Sequence, residues 1–222
     1  MPNHITNKLT IMDGKLGSIK ERLKYYVSKD DDGKESIDFN RVIRMPPSLQ
    51  ITAGGSVDEA MAAIKEDTKF FAERFEWWSG KGSWLETEGI KTPKDLMEYK
   101  RRTLSKEALE EGRKAIENLK KYGHKDWYGW CCDKWGTKWN SYDTTWDDSE
   151  VTFLTAWAPP DPVIQKMADE TGLTIQNEWW DEGDPDNIEI SIFSPEIDGI
   201  KPEYAPIRRK RNSNKRWVVA LP

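Results

Sequence analysis

The chain's thiols are two neighbours, Cys131 and Cys132, with His124 a short way upstream and Asp126 between them. If this stretch folded back on itself, a thiol–imidazole pair oriented by Asp126 would make a nucleophile. The plainer expectation is that both cysteines are small buried hydrophobes, because free cysteine usually packs rather than reacts. A disulfide between adjacent residues closes almost no loop, so both are read as reduced thiols. Structural zinc wants closely spaced ligand pairs, and His4, His124, Cys131 and Cys132 do not supply them. Carboxylates gather in Asp181, Glu182, Asp184 and Asp186 and again in Asp147–Asp148. Such clusters can hold a hard cation or move protons. They lack the alternating ligands and central glycine of a calcium loop, and solvated turns account for them. Gly54-Gly55-Ser56 precedes a helical pattern without the lysine of a phosphate-cradling loop.

Binding chemistry is better represented than catalysis. Arg208, Arg209 and Arg211 lie in a basic run that continues through Lys215–Arg216 to Trp217. Guanidinium groups neutralise phosphates and an indole can stack on a base, so this tail is a candidate nucleic-acid contact. In the stretch from Asp126 to Asn140, Trp135, Lys138, Trp139 and Asn140 combine rings, a cation and an amide, which together can grip a partner. Packing competes with that role, since tryptophan is mostly buried. Asp181 and Glu182 complete the candidate contacts through their charge.

Charge is distributed unevenly. Residues 140–198 hold one basic residue, Lys166, against 15 acidic ones, whereas the residues on either side carry a net positive charge and the whole sums to -5. Asymmetry of this kind bears on partners rather than on fold. The acidic stretch either lies against the chain's own basic tail or presents a phosphate-like field to a basic protein. Apolar residues make up 36% and charged residues 33%, with 12 tryptophans, enough aromatic area to sustain a core despite a heavily solvated surface. No apolar run approaches the ~18 residues of a membrane helix, and the opening residues lack the basic and apolar regions of a signal peptide. The expected location is the cytoplasm.

These residues need a scaffold, and alternation supplies its strands. Ile5, Leu9 and Ile11 share one face of His4–Ile11. Leu16, Ile19, Leu23, Tyr26 and Val27 predict an amphipathic helix over 15–28. After an Asp30–Gly33 turn, Phe39, Arg41, Ile43 and Met45 predict a second strand, stopped by Pro46–Pro47. A capping box at Ser56–Glu59 opens a helix whose apolar face runs from Val57 to Trp78. Thr92–Pro93 and Ser105 start two more helices, the latter ending at Gly123. Val151, Phe153, Thr155 and Trp157 predict a strand, Asp161–Pro162 a capped helix closed by Gly172, and Leu173–Trp180 a further strand. Ile188–Phe193 adds one more, and 215–221 another after a polar basic loop. Strand–helix–strand units at both ends of the chain are the ingredients of a ferredoxin-like sandwich.

The opening Met1-Pro2-Asn3-His4-Ile5-Thr6-Asn7-Lys8-Leu9, the segment from Asp126-Trp127-Tyr128 to Trp135-Gly136-Thr137-Lys138-Trp139-Asn140, and Trp157-Ala158-Pro159-Pro160-Asp161-Pro162 resemble the YubB-like family of phages and plasmids, as does Asp181-Glu182-Gly183. The likeness leaves out the central helices and the basic tail. It implies a ferredoxin-like fold and an origin in mobile elements, and it brings no agreed catalytic residues.

The expectation is therefore an α+β chain: a ferredoxin-like sandwich, an antiparallel sheet with helices on one face, carrying a helical insertion. Residues 1–47 form its first half, 48–122 the insertion, 123–200 the tryptophan-rich segment with the second half, and 201–222 a basic tail. The expected function is non-enzymatic binding by a mobile-element protein, with a protein partner in the host cell and no cofactor or metal. Two further readings stand beside it. One is a counter-defence or host-takeover inhibitor presenting an acidic face to a nucleic-acid-handling protein. The other is nucleic-acid binding through the tail.

Overall fold

The computed structural model describes residues 3–12, 17–80 and 82–196, together with the backbone of 209–211 and 217–219. Its contacts divide the chain into two compact units, one of residues 1–45 and 131–222, the other of residues 46–130.

The first unit begins with β1 (His4–Ile11), whose alternation buries Ile5, Asn7 and Leu9 on one face. The helix expected over 15–28 is shorter. Ser18 accepts the amide of Glu21 and caps α1 (Ile19–Arg22), a tight 3-10 turn follows over Lys24–Tyr26, and Val27 already belongs to a strand. Leu16 and Lys15 lie outside the described residues. The tightening lets Ile19, Leu23 and Tyr26 all point inward. β2 (Val27–Lys29) and β3 (Glu35–Ile37) make a hairpin in which Asp30 Oδ1 accepts the amides of Asp32 and Lys34.

The second strand expected at 39–45 is instead α2 (Phe39–Val42) followed by an extended link. The reason is local capture of backbone donors. Asp38 Oδ1 takes the Asn40 amide at 3.0 Å and Asn140 Oδ1 takes the Phe39 amide at 2.8 Å. Those donors are then unavailable to a ladder, and Phe39 and Val42 become buried at helical spacing.

The second unit is helical: α3 (Gly55–Lys65), α4 (Thr68–Trp78), α5 (Trp84–Thr87), α6 (Pro93–Thr103) and α7 (Lys106–Tyr122). Thr92 and Ser105 accept the amides of Asp95 and Ala108 as N-caps, and Gly123 closes α7 at φ 76°. Two expectations fail here. Gly54, not Ser56, is the N-cap of α3, with no side-chain bond. The apolar face from Val57 to Trp78 spans two helices, because Glu66 turns left-handed at φ 55° and Asp67 caps α4 through the Phe70 amide. Arg101 donates to Ala63 O and to Glu66, satisfying the end of α3.

The chain passes from one unit to the other along α8 (Trp127–Lys134). It then runs β4 (Tyr142–Trp146), β5 (Glu150–Ala156), α9 (Asp161–Thr171), β6 (Ile175–Asp181) and β7 (Glu189–Phe193). Short strands β8 (Arg209–Arg211) and β9 (Trp217–Val219) follow, so part of the expected basic loop pairs with β7 as a strand. Pro160 rather than Asp161 sits at the N-cap of α9, its carbonyl accepting from Val163 and Ile164.

The sheet order is β4-β5-β1-β6-β7-β8-β9, antiparallel at every pairing. Since β1 pairs antiparallel with both β5 and β6, those two run parallel to each other with β1 between them. In the same way β4 runs parallel to β1 across β5. These interleaved units give β4-β5-β1-β6 the ferredoxin-like arrangement, and the fold is α+β. Ile5, Leu9, Val151, Phe153, Ile175 and Phe193 are buried, as are Val163, Ile164 and Met167 on α9. Each such side chain contributes about 1.5–3 kcal/mol.

One polar thread crosses this core. Asn177 Nδ2 donates to Asn7 Oδ1 at 3.1 Å, Asn7 Nδ2 to Thr155 Oγ1 at 2.9 Å, and Thr155 Oγ1 to Ala158 O at 2.8 Å. It ends in the turn that follows β5.

Candidate functional site

That turn sets the site. β5 ends at Ala156, one residue short of the predicted strand, and Trp157 leaves the ladder with φ 75°. Instead of continuing the buried face of Val151, Phe153 and Thr155, this residue is 46% exposed. Pro159–Pro160 cannot donate to a ladder, so the strand must stop here. Left-handed backbone in a residue with a side chain costs about 1 kcal/mol or more, and the bond from Thr155 Oγ1 to Ala158 O helps to hold it.

The segment after α8 is pinned beside Trp157. Trp135 is 4% exposed, donates its Nε1 to Ile43 O at 2.9 Å and meets Phe39 edge-on. Gly136 turns at φ 78° close against the Pro162 ring. Thr137 Oγ1 donates to Ala156 O at 2.8 Å and accepts the Ala156 amide at 3.2 Å. Thr137 thus clamps the end of β5, and Lys138 emerges next to Trp157. The Lys138 Nζ lies 4.7 Å from the centre of the Trp157 ring and 4.8 Å from that of Trp139, itself 37% exposed. A cation at that distance from two indole faces is held electrostatically by both.

Trp139 also meets Tyr142 edge-on at 6.3 Å, and the Tyr142 hydroxyl is 2.6 Å from His4 Nδ1. The His4 amide donates to Glu182 Oε1 at 2.9 Å, while Asn3 Nδ2 donates to the Asp181 carboxylate at 3.2 Å. Asn3 O accepts the Trp157 amide at 3.0 Å. The contacts therefore close a circuit through the ends of β1, β5 and β6 and the start of β4. Burial, then the charges of Asp143 and Glu182, push the Tyr142 phenol above its ordinary range. Asp181 and Glu182 set two carboxylates beside the aromatic groups at this end of the sheet.

Of the residues expected to bind, Lys138, Trp139, Asp181 and Glu182 come together here. Trp135 is a core residue with no face for a partner. Asn140 is occupied by the chain itself, its oxygen taking the Phe39 and Ser141 amides and its nitrogen bonding Asp38. Arg208 lies outside the described residues, and Arg209 and Arg211 are placed only as backbone in β8. The sequence reading missed Trp157, His4 and Tyr142 as site residues. The proline pair after Trp157 was the available signal for the first.

The Cys131 thiol is buried and directed at Met45 Sδ. Burial pushes the Cys132 thiol up, opposed by Lys138. Asp126 spends its carboxylate on the Tyr128 and Gly129 amides. Among the described residues no group of three or more His, Cys, Asp or Glu could hold a metal ion. No helix among them is long and apolar enough to cross a membrane.

Residues 134–188 match the family model of the ferredoxin-like domain in Api92-like protein. The match to this ferredoxin-like domain takes in β4, β5, α9 and β6 and, within the site, Lys138, Trp139, Tyr142, Trp157, Asp181 and Glu182. No curated protein and no solved structure matches the chain.

Proposed function

We propose that this chain is a non-enzymatic binding protein of a mobile genetic element, acting in the cytoplasm of a bacterial host, and that it meets a protein partner with the end of the sheet built around Lys138. The observation that carries this reading is the pair of exposed indoles, Trp139 and Trp157, holding one ammonium group between them. Large aromatic surface left in water beside a strained backbone is costly to fold, and binding surfaces are where such features gather. The mobile-element origin rests on the resemblance of the tryptophan-rich segment to phage and plasmid proteins.

Affinity capture from host lysate tests the reading. The chain should retain a discrete protein that a Trp139→Ala, Trp157→Ala double variant loses while its circular dichroism stays native. The same proteins retained by both forms would defeat it.

The acidic-face reading, an inhibitor of a host nucleic-acid-handling protein, has one observation in its favour: Asp143 and Glu182 both act on Tyr142. Against a uniform acidic face, Lys8, Lys34 and Lys166 already pair with Glu150, Asp143 and Glu170. Capture that weakens steeply with added salt would favour this second reading.

A further inference from the structure

We propose that the indole slot is a recognition site for a basic side chain of the partner, and that Lys138 is a built-in plug occupying it in the isolated chain. The inference rests on the binding reading above and adds the chemistry of the ligand.

Three independent features point the same way. First, the slot already holds a cation: the Lys138 Nζ sits at 4.7 and 4.8 Å from two ring centres, and both rings keep open surface on which a second group can approach. Aromatic faces attract guanidinium and ammonium groups alike, and a guanidinium adds planar stacking. Second, the rim is anionic. Asp181 and Glu182 anchor to Asn3 and to the His4 amide, contacts that leave both carboxylates charged. An anionic ligand would meet these carboxylates, whereas a basic segment would be drawn to them. Third, the backbone is strained at one wall of the slot. Of the three described residues other than glycine with positive φ, Trp157, at 75°, is itself a wall of the slot. Strain held at one spot by a threonine clamp and a buried hydrogen-bond thread indicates that ring placement matters there more than local stability.

The plug has a quantitative consequence. An internal occupant lowers the affinity of an external one by the fraction of time the slot is closed, so a plug in place nine-tenths of the time costs about tenfold. Removing it should restore that factor without touching the rings.

The test follows the indole Nε1–H signals of the full chain by NMR during titration with a Gly–Ser peptide carrying three arginines. The control is the same peptide with citrulline, which keeps the shape and loses the charge. Lys138→Ala should bind the arginine peptide about tenfold more tightly than the unaltered chain. Adding Trp157→Ala should abolish the gain, and citrulline should not bind. Lys138→Gln, with a stem nearer in length, repeats the measurement should the alanine variant fold poorly. The proposal is overturned if emptying the slot leaves arginine affinity unchanged, or if citrulline binds as well as arginine. Capture of a lysate partner is scored separately. A partner retained through Trp139 and Trp157 with no arginine effect removes the plug and leaves the binding surface. An arginine effect with no partner supports the slot and removes the broader reading.

Discussion

Gly136 is the tightest constraint on the placement of Lys138, and replacing it with alanine shows what that placement costs. Two penalties combine. The backbone at φ 78° is unfavourable for a residue with a side chain, by about 1–2 kcal/mol. A β-carbon would also lie 2.8 Å from the Pro162 ring and 3.3 Å from the Pro159 carbonyl. Neither neighbour can rotate away, because one is a closed ring and the other is backbone. Overpacking of this kind costs about 1–3 kcal/mol, giving about 2–5 in all. Gly172 supplies the control. It has nearly the same backbone, φ 68°, and nothing within 4 Å of the added atom, so its alanine variant carries only the first penalty. Hydrogen exchange of β5 and β6 peptides reads the difference within the sheet unit, at about tenfold in rate per 1.4 kcal/mol. Gly172→Ala should speed the slowest amides about tenfold and Gly136→Ala about a hundredfold or more. Equal acceleration by the two variants would refute the argument, since it would mean that contact with α9 does not constrain the segment bearing Lys138.

Three further outcomes follow from the same geometry. In the helical unit, Lys100 lies 2.8 Å from Glu59 and 5.1 and 5.7 Å from the Trp78 and Trp84 ring centres, so Lys100→Ala should cost that unit about 2–3 kcal/mol by chemical denaturation, and Lys100→Arg much less. A loss under about 0.5 kcal/mol would contradict the pairing. Burial of Tyr26 and its bond to Glu170 raise its pKa, so its contribution is intact below pH ~10, where an unfolded tyrosine titrates, and fades as pH climbs from there toward its own higher pKa. Subtracting the phenolate absorbance titration of Tyr26→Phe from that of the parent should give a midpoint above 10, and a midpoint at or below 10 would contradict it. A disulfide-exchange reagent at neutral pH should modify Cys132 no faster than free cysteine, and Lys138→Ala should slow it further, because the ammonium is the group that opposes burial there.

How legible the molecule was in its sequence depended on the distance over which each decision is made. β1 was readable because alternation is local and its strand is half-buried on both sides of the pairing. The caps at Thr92 and Ser105 and the stops at Gly123 and Gly172 were readable because a cap needs only its own turn. The stretch after Ile37 misled because its fate is decided remotely. Phe39 to Met45 has strand periodicity, yet Asn140, a hundred residues later, takes the Phe39 amide, and no local pattern announces that bond. The break at Glu66 was hidden in another way. The apolar period runs unbroken through it, and the end of α3 is satisfied from outside by Arg101.

The site divides along the same line. Lys138 and Trp139 were visible as an unusual run, but the run alone cannot say which indoles face water. Trp135 and Trp139 are one helical turn apart in sequence and opposite in role, because Gly136 breaks the helical path between them. Trp135 then reaches Ile43 while Trp139 turns outward toward Tyr142. Trp157 joins Lys138 only because the antiparallel order puts the end of β5 beside the start of β1, and Thr137 returns to that end. A binding surface assembled from three strand ends and a loop has no sequence period of its own. Its residues become a site only when the sheet order is known, and that order was hidden because the expected strand at 39–45 is α2 while the edge strand beside β5 is β4, a stretch whose secondary structure no local pattern settled.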